Sequence, residues 1–322
     1  MLTSALRQPR FIQLHREDQA AVREEIVRGL QRQPAALAPK YLYDSLGSRL
    51  FDAITELPEY YPTRTEAALL AAQGAAMAQH LPRGATLVDL GAGNCQKAAR
   101  LFSWLEPKRY VAVDISVDYL RDALQCLQRQ FAGLDMVGVG MDFSAALQLP
   151  PEVGAGPCVL FYPGSSIGNF TPAEALVFLR QARAAAGGDG GLLIGVDLLK
   201  PREALEPAYD DALGVTAAFN RNLLLHVNRL IGSDFEAADW QHVAYFNSQE
   251  SRIEMHLQAA RHTEVRWPGG ERCFARGERI HTENSYKYRL TDFDVLLRQA
   301  GFAETRVWTD ERDWFAVFWA CG

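Results

Sequence analysis

From residue 86 onward the chain alternates between short apolar runs and longer amphipathic stretches. The apolar runs fall at 86–90, 110–115, 135–140, 158–162 and 192–196, and segments of helical length and spacing lie between most of them, at 96–105, 117–131 and 172–186. Strand–helix alternation at this spacing predicts an α/β fold with a parallel, doubly wound sheet. The rhythm returns near the end with a helix at 292–301 and strand-like runs at 305–308 and 315–319. The short 309–313 connection between these last two requires them to pair antiparallel.

Two regions break the rhythm. The first 85 residues read as helical: 17–33 sets Ala21, Val22, Ile26 and Leu30 at helical spacing, and 66–81 is a second, Ala-rich amphipathic run. Between them lies a stretch dense in aromatics and proline, with Tyr41-Leu42-Tyr43-Asp44 and then Leu57-Pro58-Glu59-Tyr60-Tyr61-Pro62-Thr63-Arg64. The second break, 200–287, holds a helical stretch at 203–230 and polar, strand-like stretches at 252–265 and 273–288. The expected organisation is a core of 63–199 closed by 288–322, and a second lobe made of 1–62 and 200–287.

Composition narrows the function classes. A chain of 322 residues suffices for two domains or one enlarged α/β domain. With 48% apolar and 22% charged residues it is neither disordered nor fibrous. Lys and Arg total 33 against 39 Asp and Glu, a net charge of −6 without a basic stripe, which argues against nucleic acid or an anionic membrane as partner. No apolar run approaches the roughly 18 residues of a membrane span, and the first ten residues lack a signal-peptide core, so the expectation is a cytoplasmic enzyme. The five cysteines (Cys95, Cys126, Cys158, Cys273, Cys321) form no CxxC pair and predict no disulfide framework. Neither His256 nor His281 has zinc spacing, and no metal is expected.

The sharpest local signal is Val88-Asp89-Leu90-Gly91-Ala92-Gly93-Asn94. An apolar strand ends in an acid, turns through two glycines that let a ligand approach the backbone, and enters a helix. Gln96 stands where the dinucleotide fingerprint wants its third glycine, and no phosphate-loop lysine follows. An acid ahead of a two-glycine turn is typical of Rossmann-like methyltransferases that use S-adenosylmethionine, a cofactor without a pyrophosphate. Asp114 closes the second strand, where a carboxylate can accept both ribose hydroxyls. Asp142-Phe143 follows the third, where an acid can take an adenine amino proton beside a ring. Singly, each acid is an ordinary cap; three in register with the turn point to a nucleoside. The fourth strand runs into Pro163-Gly164-Ser165-Ser166-Ile167-Gly168-Asn169-Phe170, where α/β sheets place substrate groups. The plain alternative is a glycine-rich loop with Asn169 capping the next helix. Cys95, beside the first turn, predicts sensitivity to thiol reagents.

Six blocks occur in order: Tyr43-Asp44, the run from Leu57 to Glu66, the run from Pro163 to Phe170, Gly214-Val215-Thr216-Ala217-Ala218-Phe219-Asn220, Arg252-Ile253-Glu254-Met255-His256-Leu257 and His281-Thr282-Glu283-Asn284-Ser285-Tyr286-Lys287-Tyr288. From about residue 10 to the C-terminus the chain closely resembles the L-histidine Nα-methyltransferase family, which makes trimethylhistidine (hercynine) for ergothioneine biosynthesis. The resemblance implies a Rossmann-like class I methyltransferase core, a substrate-binding lobe built from the N-terminal segment and the late insertion, and a monomer acting on a free amino acid. It places cofactor contacts on Tyr43, Gly91, Lys97, Asp114, Asp142 and Phe143. Substrate contacts fall on Tyr60, Gly164 and Asn169, and on Tyr209, Met255, Glu283 and Ser285.

These residue types suit histidine. Asn169 and the Tyr209 hydroxyl are neutral donors for a carboxylate, and Tyr60 can donate to it or to the ring. Glu283 can accept an imidazole N–H while Ser285 meets the other nitrogen. Methyl transfer from a sulfonium is an in-line displacement, so alignment in a dry cavity is the main contribution, worth roughly 7–11 kcal/mol. The amine must be neutral to attack. No strong base stands out, and the catalytic assignment is to Tyr43 and Tyr60, beside which water takes the proton. Their faces also suit a growing ammonium, at about 0.5–2 kcal/mol. Two readings compete: methylation of another free α-amino acid such as tryptophan, and a catalytically silent protein that binds S-adenosylmethionine. Tryptophan needs no carboxylate at 283 and more room at 255, so Glu283 and Met255 favour histidine. The plain alternatives are a helix tyrosine at 209, core packing at 255 and a solvated strand residue at 283.

Overall fold

The structure, a computed structural model, describes residues 7–14, 18–144, 146–153 and 156–322. The chain begins with β1 (Arg10–Gln13), α1 (Gln19–Gln31), β2 (Ala35–Ala36), α2 (Ser45–Thr55) and α3 (Tyr61–Ala78). The alternating part follows: β3 (Thr86–Leu90), α4 (Gln96–Ala99), α5 (Phe102–Leu105), β4 (Arg109–Asp114), α6 (Val117–Gln130), β5 (Asp135–Gly140), β6 (Cys158–Tyr162), α7 (Pro172–Ala186) and β7 (Gly191–Asp197). Then come α8 (Arg202–Leu205), α9 (Val215–Ile231), β8 (Trp240–Asn247), β9 (Arg252–Ala259), β10 (Thr263–Trp267), β11 (Gly270–Phe274) and β12 (Arg279–Tyr286). The chain closes with α10 (Leu290–Gln299), β13 (Glu304–Thr309) and β14 (Phe315–Cys321). Two compact units result, one holding β1, Pro62–Leu199 and Lys287–Gly322, the other the described residues of 18–61 and Lys200–Tyr286.

In the first unit eight strands form one sheet in the order β1-β5-β4-β3-β6-β7-β14-β13. The first six are parallel; β14 runs antiparallel to β7, and β13 to β14, as the short last connection requires. Successive residues of a strand point to opposite faces. Val88, Val111, Leu160 and Ile194 bury against Phe178 of α7 and Phe293 of α10. Leu87, Ala112, Phe161 and Leu193 bury against Leu70 of α3 and Leu124 of α6 on the other face. With both faces covered the strands need no polar side, which is why they read as unbroken apolar runs. The sheet is the doubly wound α/β sheet expected. Strand order reverses at β3 and β6, so the loops after them flank the topological switch point, the usual ligand position in such sheets.

Two local expectations change here. Residues 96–105 form two short helices, and the break lets the adjacent Leu101 and Phe102 both bury. Residues 10–13, expected in the second lobe, form an edge strand of the large sheet, Phe11 opposite Gly138 and Gln13 opposite Gly140. Those glycines make the room: a Cβ on Gly138 would stand 2.6 Å from the Phe11 ring.

The second unit holds a four-stranded sheet, β2-β12-β9-β8, and the β10–β11 hairpin. Its first helix is capped by the Asp18 carboxylate, which accepts the N–H groups of Ala20 and Ala21 at 3.0 and 3.2 Å. The expected start at Glu17 lies outside the described residues. The helix expected over 203–230 is interrupted: after α8 a 3₁₀ turn, Glu206–Ala208, forms at Pro207. Helix α9 then starts anew behind Gly214 at φ 75°, with the Asp211 carboxylate accepting from the Val215 and Thr216 amides. Strand β8 was not expected; Gln241, His242 and Asn247 hide its pattern. No described helix is long and apolar enough to cross a membrane.

Candidate functional site

At the end of β3 the chain turns through Gly91 (φ 71°) and Gly93 (φ 51°), conformations that favour glycine. The Gly91 and Ala92 amides donate to the Val113 carbonyl at 2.9 and 3.0 Å, which ties this turn to the end of β4. There Asp114 accepts the Gly93 N–H on Oδ2 and the Ser116 N–H on Oδ1, both at 2.9 Å. Burial raises its pKa, and these backbone donors oppose the rise. A carboxylate offers about four acceptor positions, so capacity remains for a diol. Asp89 lies beneath, accepting the Tyr110 hydroxyl at 2.8 Å, and burial pushes its carboxyl up to about 7. Cys95 adopts φ 63° with no exposed surface, and burial drives its thiol pKa far up. The expected thiol sensitivity is therefore corrected: a buried thiol that resists ionisation is inert.

After β5, Asp142 Oδ1 accepts the Ser144 N–H at 3.1 Å and its hydroxyl at 2.5 Å. The partly exposed Phe143 ring packs edge-on against Tyr162, centroids 5.7 Å apart, and tilted against Phe178 at 6.2 Å. A Cβ on Gly91 would stand 3.7 Å from this ring, so the glycine leaves the space between turn and ring clear. A diol acceptor, a ring face with a neighbouring carboxylate and an open backbone turn fit an adenosyl group.

Lys97, in α4, places Nζ 2.9 Å from Oε2 of Glu66, whose Oε1 accepts the Gly164 N–H at 2.8 Å. Gly164 (φ 76°) and Ser165 (φ 58°) shape the loop after β6, and the Ser165 hydroxyl accepts the Asp197 N–H at 2.8 Å. Asn169 ends the 3₁₀ turn Ser166–Asn169. It does not cap α7: Thr171 does, in a reciprocal capping box with Glu174. The plain reading of Asn169 fails on that point.

The second unit holds the tyrosines. Tyr43 meets Phe51 and Phe219 edge-on at 5.6 and 5.5 Å, Phe51 meets Tyr60 at 6.1 Å, and Tyr60 meets Tyr209 at 6.2 Å. Tyr60 and Tyr209 are buried, while Tyr43 keeps partial exposure. Tyr209 is no helix tyrosine. It follows the turn at Pro207, its hydroxyl lies 2.8 Å from Ser285 Oγ, and its carbonyl sits 2.8 Å from His242 Nε2. The Asn220 amide donates to His242 Nδ1 at 2.9 Å, so the network assigns the proton to Nε2, which donates to Tyr209. Burial lowers the His242 pKa and favours this neutral ring.

Glu283 is placed by a bulge. His281 pairs with His256 and Glu283 with Met255, which leaves Thr282 as one extra residue, its hydroxyl donating to the Met255 carbonyl at 3.0 Å. Since side chains alternate faces, that insertion puts Glu283 and Ser285 on the Met255 face. Glu283 is 7% exposed and Met255 2%, so Glu283 is not a solvated strand residue. The opposite face carries Glu254, which accepts from Tyr245 (2.7 Å), Asn247 (2.9 Å), Arg252 (2.8 Å) and His256 (3.1 Å). Burial disfavours its charge, but these donors outweigh burial and hold its pKa at about 2. Among the described residues no group of three or more His, Cys, Asp or Glu side chains is placed to hold a metal.

Sequence reasoning missed Glu66, Phe51, Phe219 and His242. Glu66 and Phe219 lie inside the recognised blocks and were open to notice; Phe51 and His242 carry no such signal.

Known proteins resemble this chain along most of its length. The family model of S-adenosylmethionine-dependent, histidine-specific methyltransferases matches residues 22–321. The chain is 41% identical over 297 residues to the histidine N-alpha-methyltransferase of Mycolicibacterium smegmatis, covering 90% of this chain and 91% of that one. To the Mycobacterium tuberculosis enzyme of the same name it is 40% identical over 303 residues, covering 92% and 94%. Ergothioneine biosynthesis protein 1 of Neurospora crassa is 30% identical over 285 residues, which are 86% of this chain and 32% of that longer protein. A match along nearly the whole length, joined to the nucleoside-type turn and its strand-end acids, means that this chain belongs to the family of S-adenosylmethionine-dependent, histidine-specific methyltransferases.

Proposed function

We infer that this protein methylates the α-amine of free L-histidine with S-adenosylmethionine, up to trimethylhistidine, as a step of ergothioneine biosynthesis. The observation that carries the choice of substrate is the bulge at Thr282, which sets a buried carboxylate, Glu283, on the same face as Met255 and Ser285. A buried carboxylate is a hydrogen-bond acceptor, and the imidazole N–H is a donor that aliphatic and phenyl side chains lack.

The cofactor supplies an electrophilic methyl group on a sulfonium. Asp114 accepts the ribose hydroxyls, and Asp142 takes the adenine amino proton beside the Phe143 ring. Gly91 lets the adenosyl group lie close to the main chain, while Lys97 and Tyr43 contact its amino-acid end. For the substrate, Asn169 and the Tyr209 hydroxyl donate to the carboxylate, Gly164 borders it through its backbone, and Tyr60 serves the carboxylate or ring. Tyr209 and Ser285 share a hydrogen bond, so the group assigned to the carboxylate and the group assigned to the ring hold each other. Met255 limits ring size. The attacking amine loses its proton to water beside Tyr43 or Tyr60, whose faces then accept the ammonium as methyl groups accumulate.

A methyl-transfer assay against free histidine, tryptophan and phenylalanine tests this reading, with products followed by mass. Mono-, di- and trimethylated histidine in succession is the expected result; preference for tryptophan or no transfer at all overturns it. The same reading has the enzyme working as a cytoplasmic monomer on a small molecule, and sedimentation at assay concentration tests the monomer.

A further inference from the structure

We propose that Glu66 is a positioning residue for methyl transfer, holding the cofactor lysine and the substrate loop in register with one carboxylate. Its side chain is 2% exposed. One oxygen pairs with Lys97 Nζ at 2.9 Å and the other accepts the Gly164 N–H at 2.8 Å. Lys97 belongs to the helix that follows the Gly91–Gly93 turn, and Gly164 opens the loop after β6. A single side chain therefore bridges the two loops at the switch point of the sheet.

The surrounding chain leaves space for this carboxylate. A Cβ on Gly195 would stand 2.3 Å from Glu66 Oε1, and one on Gly164 would stand 2.8 Å from Lys97 Nζ. Gly164 also holds φ 76°, where a side chain would be strained. A glycine of β7 and a glycine of the loop after β6 thus yield room to one ion pair. Stability is a poor reason for the arrangement, because a buried ion pair recovers its desolvation cost only with good geometry and is often replaceable by apolar packing. Direction is a better one. An ammonium carries three donors. Glu66 Oε2 holds Nζ at 2.9 Å as an ion pair without accepting a hydrogen bond, so the anchored Lys97 side chain, 32% exposed, keeps these donors for a ligand.

The inference rests on the assignment of Lys97 to the cofactor and Gly164 to the substrate. Glu66 touches neither ligand in this scheme; it acts through those two residues. The test uses the full chain and the variants Glu66→Gln, Glu66→Met, Lys97→Met and the double variant Glu66→Gln/Lys97→Met. Calorimetry with S-adenosylhomocysteine needs no turnover, and kcat and KM for histidine are read separately. Glu66→Gln removes the charge that anchors Lys97, and should weaken cofactor-product binding about tenfold and lower kcat by at least about tenfold more. Glu66→Met should lose as much affinity while melting no lower than wild type. The double variant should bind no worse than Lys97→Met alone. Unchanged affinity in Glu66→Gln, or fully additive losses in the double variant, overturns the proposal. A purely structural Glu66 would lower the melting temperature and leave the affinity of the folded protein intact. If the wild type failed to methylate histidine, the calorimetric arm would still decide the role of Glu66.

Discussion

In the proposed scheme the two units present polar groups to a ligand by opposite means. In the larger one the main chain does most of the work. Gly91, Gly93 and Gly164 adopt positive φ, and Asp114 is itself held by two backbone amides. In the smaller one side chains do it, through edge-on aromatic rings, the Tyr209–Ser285 hydroxyl pair and a carboxylate turned inward by a bulge. A site built from backbone tolerates change everywhere except at its glycines and acids, so one such site can serve many methyl acceptors. A site built from side chains is re-specified by a single substitution. In the proposed scheme the larger unit accordingly supports the chemistry, and the smaller one the choice of amine.

The sharpest way to break this comparison is to remove a substrate group. With Asn169 and Tyr209 assigned to the carboxylate, histamine, which has none, leaves two donors unpaired. Rejection of an analogue missing a polar anchor reaches about 10⁴-fold, and that is the loss in kcat/KM expected for histamine. Comparable turnover of the two amines removes both residues from that role. The next largest effect is at Glu283. Glu283→Ala should lower kcat/KM for histidine by about 10²-fold, roughly 2.7 kcal/mol. Combined with Met255→Val it should also relax the rejection of tryptophan. Steady-state kinetics with both amino acids decide this; an unchanged preference means that the ring is read elsewhere.

On the other side of the comparison stands Asp114. Asp114→Ala should weaken S-adenosylmethionine binding by about 1.5–3 kcal/mol, the usual worth of a charged hydrogen bond, and should do so equally whichever amino acid is present. It also releases the Gly93 and Ser116 amides. Asp114→Asn separates the two effects, since its carbonyl can still accept one of them. An unchanged dissociation constant by calorimetry takes Asp114 out of the cofactor site.

The same contrast explains what was legible in the sequence. Strands β3 to β7 are visible because burial on both faces leaves apolar runs, and the first turn is visible because its φ values favour glycine. Position 10–13 was misplaced because an edge strand four residues long has too little pattern to read. Strand β8 was missed because Gln241, His242 and Asn247 break its alternation, although Trp240 at its start is buried. The bulge at Thr282 has no local signature: one extra residue becomes apparent only against the partner strand. Glu66 carries no local signal of its burial, since that depends on Lys97 and Gly164, far off in sequence. Cys95 misled for the same reason, its burial being a property of the fold.

The smallest expected effect separates the two faces of the β9–β12 pair, one assigned to substrate and the other to holding the strands together. On the second face His256 donates from Nε2 to Glu254, stacks on Tyr245 at 5.5 Å and faces His281 edge-on at 5.2 Å. Its Nδ1 is buried with no hydrogen-bond partner among the described residues. Burial, and next the neighbouring His281, lower its pKa from 6.5 to about 4. The unfolded chain therefore binds the proton more readily than the native one between these values. Stability is complete above pH 6.5 and falls as pH drops toward 4, by about 1–2 kcal/mol on reaching pH 5. Glu254, held at about 2 against an ordinary 4.5, adds a second loss only below pH 4.5. In His256→Gln the amide can still donate to Glu254 but does not titrate, so its melting temperature should fall less steeply than that of wild type between pH 6.5 and 5. The histidine KM of this variant at pH 8 should match wild type, because His256 points away from the face of Glu283 and Met255. Equal acid slopes in the two proteins would assign the titration to His281 or His242, whose pKa values burial also lowers. A raised KM at pH 8 would mean instead that the two faces are not independent.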